Sequence, residues 1–280
     1  PIVANKYGLN PNTPPAFAVI AYGKLGGKEL GYASDLDIVF LYDAPDSDQG
    51  ASERYAMFAR RLIAWLTAST SAGVLFEIDT RLRPNGAAGL LVTSIDAFKR
   101  YQLREGDNSA WLWEHQALTR ARFCAGDTRI GEKFEEIRSE VLAQSRDEQL
   151  LKQEILSMRQ KVSDGHPNDS GMFDIKHDAG GMVDIEFIVQ YLVLRFSGQH
   201  HKLLGNWGNI TLLGYAAEER LIPENLANSV ANAYRLYREY QHRIRLDGAD
   251  KTRIHPDAMD SSLQNARMAV TTLWQQVLLT

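Results

Sequence analysis

Asp35 and Asp37 stand two residues apart, and Asp79, Arg81 and Arg83 repeat that interval further along the chain. Alternate side chains of an extended strand share a face. Asp35 and Asp37 therefore point the same way, roughly 7 Å apart along a strand, while Leu36, Ile38 and Phe40 point into a core. Two carboxylates at the mouth of a buried strand repel each other, so they gather cations or one keeps its proton. Magnesium suits such a place, because it takes oxygen ligands, usually one or two carboxylates with substrate phosphates. In the second segment, parity sets Glu77, Asp79, Arg81 and Arg83 opposite Phe76, Ile78, Thr80 and Leu82. If the two strands are neighbours, Asp79 completes a three-carboxylate site. Arg81 and Arg83 then face the same space, where guanidinium groups bind phosphate oxygens through paired hydrogen bonds. The chemistry implied is phosphoryl-group transfer. An isolated Asp-x-Asp is more often a solvated strand end, and the weight of this reading comes from what precedes it.

Upstream lie Gly23, Gly26, Gly27 and Gly31, set around Lys24 and Lys28 and followed by Ser34. Glycines allow a tight turn and a close approach of backbone to phosphate, and main-chain N–H groups at a helix start favour anions. The order strand, glycine turn, short helix, strand with Asp-x-Asp reads as a phosphate cradle. The Gly-x-x-x-x-Gly-Lys-Ser/Thr and Gly-x-Gly-x-x-Gly patterns are both absent from this segment.

Elements must position these groups. The apolar run Ala16–Tyr22 predicts a buried strand, Leu36–Leu41 a second, Val74–Leu82 a third and Leu90–Thr93 a fourth. Helical spacing predicts helices over Arg54–Thr67 and the tryptophan-rich Ala110–Phe123. From Asp127 onward the pattern is helical: Ile130–Val162, Asp184–Phe196, a helix from about Pro223 to Leu246, and Asp257–Leu279. The expected architecture is α+β, a mixed sheet with flanking helices in residues 1–125 followed by an all-α bundle in residues 126–280. Asn10–Pro15 reads as a loop or linker, and a first residue of Pro1 rather than Met suggests a piece of a longer chain.

Of 280 residues, 44% are hydrophobic and 24% charged, ordinary for a globular protein. The net charge of −4 argues against a nucleic-acid binder, which usually carries a basic surplus. The single cysteine, Cys124, excludes an internal disulfide and fits a reducing, cytoplasmic setting. No apolar run is long enough to cross a bilayer, so no membrane partner is expected. His115 reads as a packed histidine, His200, His201 and His255 as solvated loop residues, and Trp111 and Trp113 as packing residues between domains.

Gly26-Gly27, a gap of seven residues and Asp35-Leu36-Asp37 together resemble the signature of the polymerase-β-like nucleotidyltransferase superfamily. Gly23–Leu30, Ser34–Asp37, Asp79–Pro84, Gly86–Gly89, Trp113–Leu118, Phe173–Lys176 and Gly180–Phe187 resemble, more narrowly, the glutamine synthetase adenylyltransferase family. The resemblance runs from Phe17 to about Arg195. It implies a polymerase-β-like catalytic domain followed by a helical bundle, two Mg²⁺ ions, ATP as substrate and glutamine synthetase as protein partner. Such proteins carry two catalytic halves, one attaching AMP to a tyrosine and one removing it by phosphorolysis, with PII regulatory protein and glutamine as effectors. Asp184-Ile185-Glu186, Tyr32-Ala33-Ser34 and Gly86-Ala87-Ala88-Gly89 are more similar to the attaching, C-terminal half. On that resemblance Asp35 and Asp37 would bind both metals, and Asp79 would bind the catalytic metal and act as base. Gly26, Gly27 and Ser34 would hold the β- and γ-phosphates, with Lys24, Arg81 and Arg83 as further phosphate contacts. Lys176, Asp184 and Glu186 would contribute from the helical domain, with a first-turn acid of a helix as the competing reading of Asp184. The alternatives are the removing half, a nucleotidyltransferase acting on RNA or a small molecule, and a module that only binds partners.

Overall fold

A computed structural model describes residues 15–31, 34–71, 73, 74, 76–249 and 251–280. The expected loop at Asn10–Pro15 lies, apart from its last residue, outside them. The chain divides into two compact units, one ending at Leu142 and the other comprising Ala143–Thr280.

The first unit is built on a five-stranded mixed sheet. Strand β1 (Phe17–Ala21) is apolar throughout and lies between β2 (Leu36–Tyr42) and β5 (Arg122–Gly126), antiparallel to both. On its other side β2 is paired twice, in parallel. Its start meets β3 (Ile78–Asp79), and its end meets β4 (Val92–Ser94). The alternation of β2 sends Ile38 and Phe40 into a core with Phe17 and Val92, closed by Tyr55 and Ala59 of helix α2 (Ala51–Leu66). Phe17 is its centre, with ring centroids 5.5 Å from Phe40 and 5.9 Å from Tyr55. Helix α1 (Gly23–Gly26) is a single turn between β1 and β2.

Three departures from the expected elements have local causes. The third strand is two residues long, because Thr80–Ala88 leaves the sheet as successive turns and a 3₁₀ turn at Gly86–Ala88. A helix missed from sequence, α3 (Ile95–Gln102), is started by Ser94, whose hydroxyl accepts a hydrogen bond from the Ala97 N–H. The tryptophan-rich helix α4 covers only Leu112–Leu118, and Arg122–Gly126 is strand β5 beside β1. Helix α5 (Thr128–Leu142) packs on β5 and β1, with Phe134 5.8 Å from Phe98 of α3, which is why the unit extends past residue 125 to Leu142. Trp111 is exposed, and His115 is buried with its Nε2 3.0 Å from the Gln102 carbonyl.

The second unit is helical: α6 (Glu148–Asp164), α7 (Met182–Phe196), α8 (Asn209–Glu218), α9 (Glu224–Leu246) and α10 (Ser261–Trp274), the last running on into a π-helical turn at Gln275–Leu279. Helix α7 is apolar on nearly all sides and lies against α6, α8, α9 and α10. Two short strands, β6 (Phe173–Asp174) and β7 (Arg253–Ile254), pair antiparallel where no strand was expected. The expected helix Ile130–Val162 is divided after Leu142. Asp147 caps the start of α6 by accepting from the Leu150 N–H. Among the described residues no helix is long and apolar enough to cross a membrane.

Candidate active site

Parallel pairing of β2 with β3 sets Asp37 directly beside Asp79. Asp35, Asp37 and Asp79 each offer a carboxylate oxygen within 4.8 Å of the others, the one such group of possible metal ligands among the described residues. Asp35 is exposed, and the other two are partly buried. The Asp37 carboxyl is pushed up to about 6, first by burial and then by the charges of Asp35 and Asp79, with Lys24 and Arg120 opposing. An all-oxygen donor set whose mutual repulsion raises a carboxyl in this way fits a hard divalent cation such as Mg²⁺.

Asp79 titrates in the other direction. Hydrogen bonds from Arg81 hold its carboxyl below the usual range. Arg81 Nε lies 3.1 and 2.9 Å from the two carboxylate oxygens, and its backbone N–H donates at 2.8 Å. The strand has ended by then, so the parity that set Arg81 and Arg83 beside Asp79 does not extend past Asp79 itself. Arg83 serves the following loop instead: it donates to the carbonyls of Thr80, Ala87 and Gly89 and to the Thr80 hydroxyl. The same loop is pinned by Tyr101, whose hydroxyl accepts from the Asn85 N–H and donates to Glu114 at 2.8 Å. Glu114 also accepts from the Trp111 N–H at the start of α4.

The glycine turn lies against this cluster. Gly23 has φ +51°, and a β-carbon there would stand 2.1 Å from Oδ2 of Asp37. Gly26 is required by packing, since a β-carbon there would stand 2.1 Å from the Arg120 carbonyl oxygen; at Gly27 it would stand 2.6 Å from the Arg120 guanidinium. Their N–H groups are used inside the turn, bonded to the carbonyls of Tyr22 and Gly23. Ser34 is buried, and its hydroxyl accepts from the Gly31 N–H at 3.1 Å. Lys24 acts on Asp37 as a favourable charge.

Arg120 and Arg122 were missed from sequence. Arg120 forms a largely buried ion pair with Glu29 at 2.6 Å, and Arg122 donates to the carbonyls of Leu25 and Gly26 that end α1. The two arginines reach the turn because β5 pairs with β1, and a helix expected over Ala110–Phe123 hid that. Their spacing, Arg-Ala-Arg just before Phe123, was the available strand signal.

In the helical unit Asp184 is a buried first-turn acid of α7, as its competing reading had it. It accepts from Arg159 Nε at 2.5 Å and from the Gly180 N–H at 2.7 Å. Lys176 lies at the turn after β6, where its N–H donates to Asp174, and Glu186 is half-buried on α7.

The family profile of glutamate-ammonia ligase adenylyltransferase matches residues 2–137, and that of GlnD PII-uridylyltransferase matches residues 149–270. The chain is 59% identical over 265 residues to the bifunctional glutamine synthetase adenylyltransferase/adenylyl-removing enzyme of Burkholderia mallei, covering 94% of this chain and 28% of that protein. Proteins of the same name from Ralstonia nicotianae and Bordetella bronchiseptica are 57% and 54% identical, over 94% and 96% of this chain and 27% of theirs. The chain thus spans little more than a quarter of these relatives. With its profile match and its identity to them along almost its whole length, the chain belongs to the glutamine synthetase adenylyltransferase family.

Proposed function

We propose that the first unit transfers AMP from ATP to a tyrosine hydroxyl of glutamine synthetase, in the cytoplasm, as a nitrogen-regulation switch. The tyrosine oxygen bonds to the α-phosphorus, the bond to the β-phosphate oxygen breaks, pyrophosphate leaves, and the hydroxyl proton passes to a carboxylate. The observation that carries this is the convergence of Asp35, Asp37 and Asp79 within 4.8 Å, beside the turn that starts at Gly23. These three would hold two Mg²⁺ ions, which supply charge stabilisation for the leaving pyrophosphate and a lowered pKa for the attacking hydroxyl. Asp79 is assigned as the proton acceptor. The amides of Gly26 and Gly27 are already bonded. The β- and γ-phosphates therefore meet the turn and Ser34 by close approach, and find their positive charge in Lys24 and Arg81. Arg83 shapes the loop that carries Arg81.

The match of the helical unit to a PII-uridylyltransferase profile supports assigning it to the regulatory part of the longer protein, with PII and glutamine as effectors. Asp184 serves the fold of that unit through the bonds it accepts from Arg159 and the Gly180 N–H.

The test is mass spectrometry of glutamine synthetase after incubation with this chain and Mg·ATP. A mass gain of one AMP on a tyrosine peptide supports the attaching reaction. The removing half is the second reading, since the relatives' name covers both activities. Phosphate-dependent release of ADP from adenylylated glutamine synthetase, without the forward transfer, would replace the first reading with the second.

A further inference from the structure

The hydrogen bonds of Arg81 occupy Asp79 fully. Its Nε reaches both carboxylate oxygens, its Nη2 reaches Oδ2 at 2.5 Å and its backbone N–H reaches Oδ1. The two partners are unequally exposed: the Arg81 side chain is 76% accessible and Asp79 only 14%. Asp79 is held by its strand beside Asp37, whereas Arg81 sits past the end of that strand. The aspartate is thus the fixed member of the pair and the arginine the movable one. A carboxylate with both oxygens engaged by a guanidinium has little capacity left for a cation at the same position.

We propose that Arg81 is a displaceable internal cation that competes with the divalent metal for Asp79 and, when displaced, is released to the phosphates of the nucleotide. Metal at Asp79 and guanidinium at Asp79 exclude each other, so metal alone binds this site weakly. Nucleotide relieves the competition by giving Arg81 an alternative anion. Metal and nucleotide then bind cooperatively, each strengthening the other by the same factor. The proposal rests on the carboxylate site assigned above, and it adds a specific direction. Removing the positive charge of Arg81 tightens metal binding in the absence of nucleotide.

The experiment is titration of the intact chain with Mn²⁺, followed by electron paramagnetic resonance, with and without a non-hydrolysable ATP analogue. Arg81→Met is compared with wild type, and each again with Asp79→Asn added. Arg81→Met is expected to bind Mn²⁺ roughly tenfold more tightly without nucleotide, and to lose most of the gain that nucleotide gives the wild type. Adding Asp79→Asn should abolish the difference between the two. Unchanged or weaker Mn²⁺ binding by folded Arg81→Met overturns the proposal and leaves the carboxylate site standing. Absence of Mn²⁺ binding by wild type and by Arg81→Met, with and without the nucleotide analogue, overturns both.

Discussion

Gly23 and Asp37 touch so closely that a β-carbon on the first would stand 2.1 Å from Oδ2 of the second. The glycine also holds φ +51°, which side-chain-bearing residues rarely adopt. Gly23→Ala is therefore expected to cost about 1 kcal/mol or more from backbone strain and to push Asp37 out of the carboxylate cluster. Urea unfolding measures the first effect. Mn²⁺ titration measures the second, and metal affinity equal to wild type would show that Asp37 accommodates the methyl group in place.

Asp35→Asn and Asp37→Asn should leave the fold intact, since neither carboxylate holds a core contact, and should abolish AMP transfer by removing charge where pyrophosphate departs. Circular dichroism and mass spectrometry of glutamine synthetase separate the two effects. Near-normal turnover by either variant would remove that residue from the site.

The raised Asp37 carboxyl makes a pH prediction with a definite sign. Below about 6 the group carries a proton that a cation must displace, so metal affinity should fall as pH drops through about 6 and level off above it. The metal-free fold behaves oppositely. Its bound proton is retained where the unfolded chain has lost its own, so the contribution of Asp37 to stability falls as pH rises between about 4 and about 6. Asp37→Asn should flatten this step in both titrations.

The carboxylate pair was legible because parity along β2 continues unbroken through Phe40, so Asp35 and Asp37 are separated from the residues that build the core. The strand holding Asp79 was legible for the same reason, but only as far as Asp79. Beyond it, Thr80 to Leu82 still alternates in sequence like a strand, while the chain from Thr80 to Gly89 hydrogen-bonds to Arg83 and Tyr101 rather than to a sheet. Alternation reports which side chains share a face only if the backbone is extended, and it carries no signal of where extension stops. Arg120 was hidden differently. Its contact with Glu29 joins residues 91 positions apart through the pairing of β5 with β1, and local spacing does not encode such partners.

Tyr101→Phe tests the loop anchorage. The lost hydroxyl leaves the buried Glu114 without one donor and the Asn85 N–H without its acceptor. The expected cost is about 1–3 kcal/mol, with faster hydrogen exchange confined to residues around Asn85. Unchanged exchange there would mean that Arg83 alone secures the loop.

Arg159→Met should destabilise the helical unit by about 3–5 kcal/mol, because it leaves the Asp184 carboxylate buried without its charge partner. Thermal unfolding of the variant gives the size of the effect. If Arg159→Met instead lowers AMP transfer with no loss of stability, Asp184 is used for chemistry rather than architecture.

Strand β2 is paired along one edge by two separate partners, β3 at the carboxylates and β4 further on, with the chain between them leaving the sheet and coming back. That excursion works like a siding off a main line: it rejoins the same rail it left. Asp79 at one junction and Val92 at the other are each held by their own pairing with β2. The register of the sheet and the spacing of Asp37 and Asp79 are thus set at the two junctions rather than by the segment that presents Arg81.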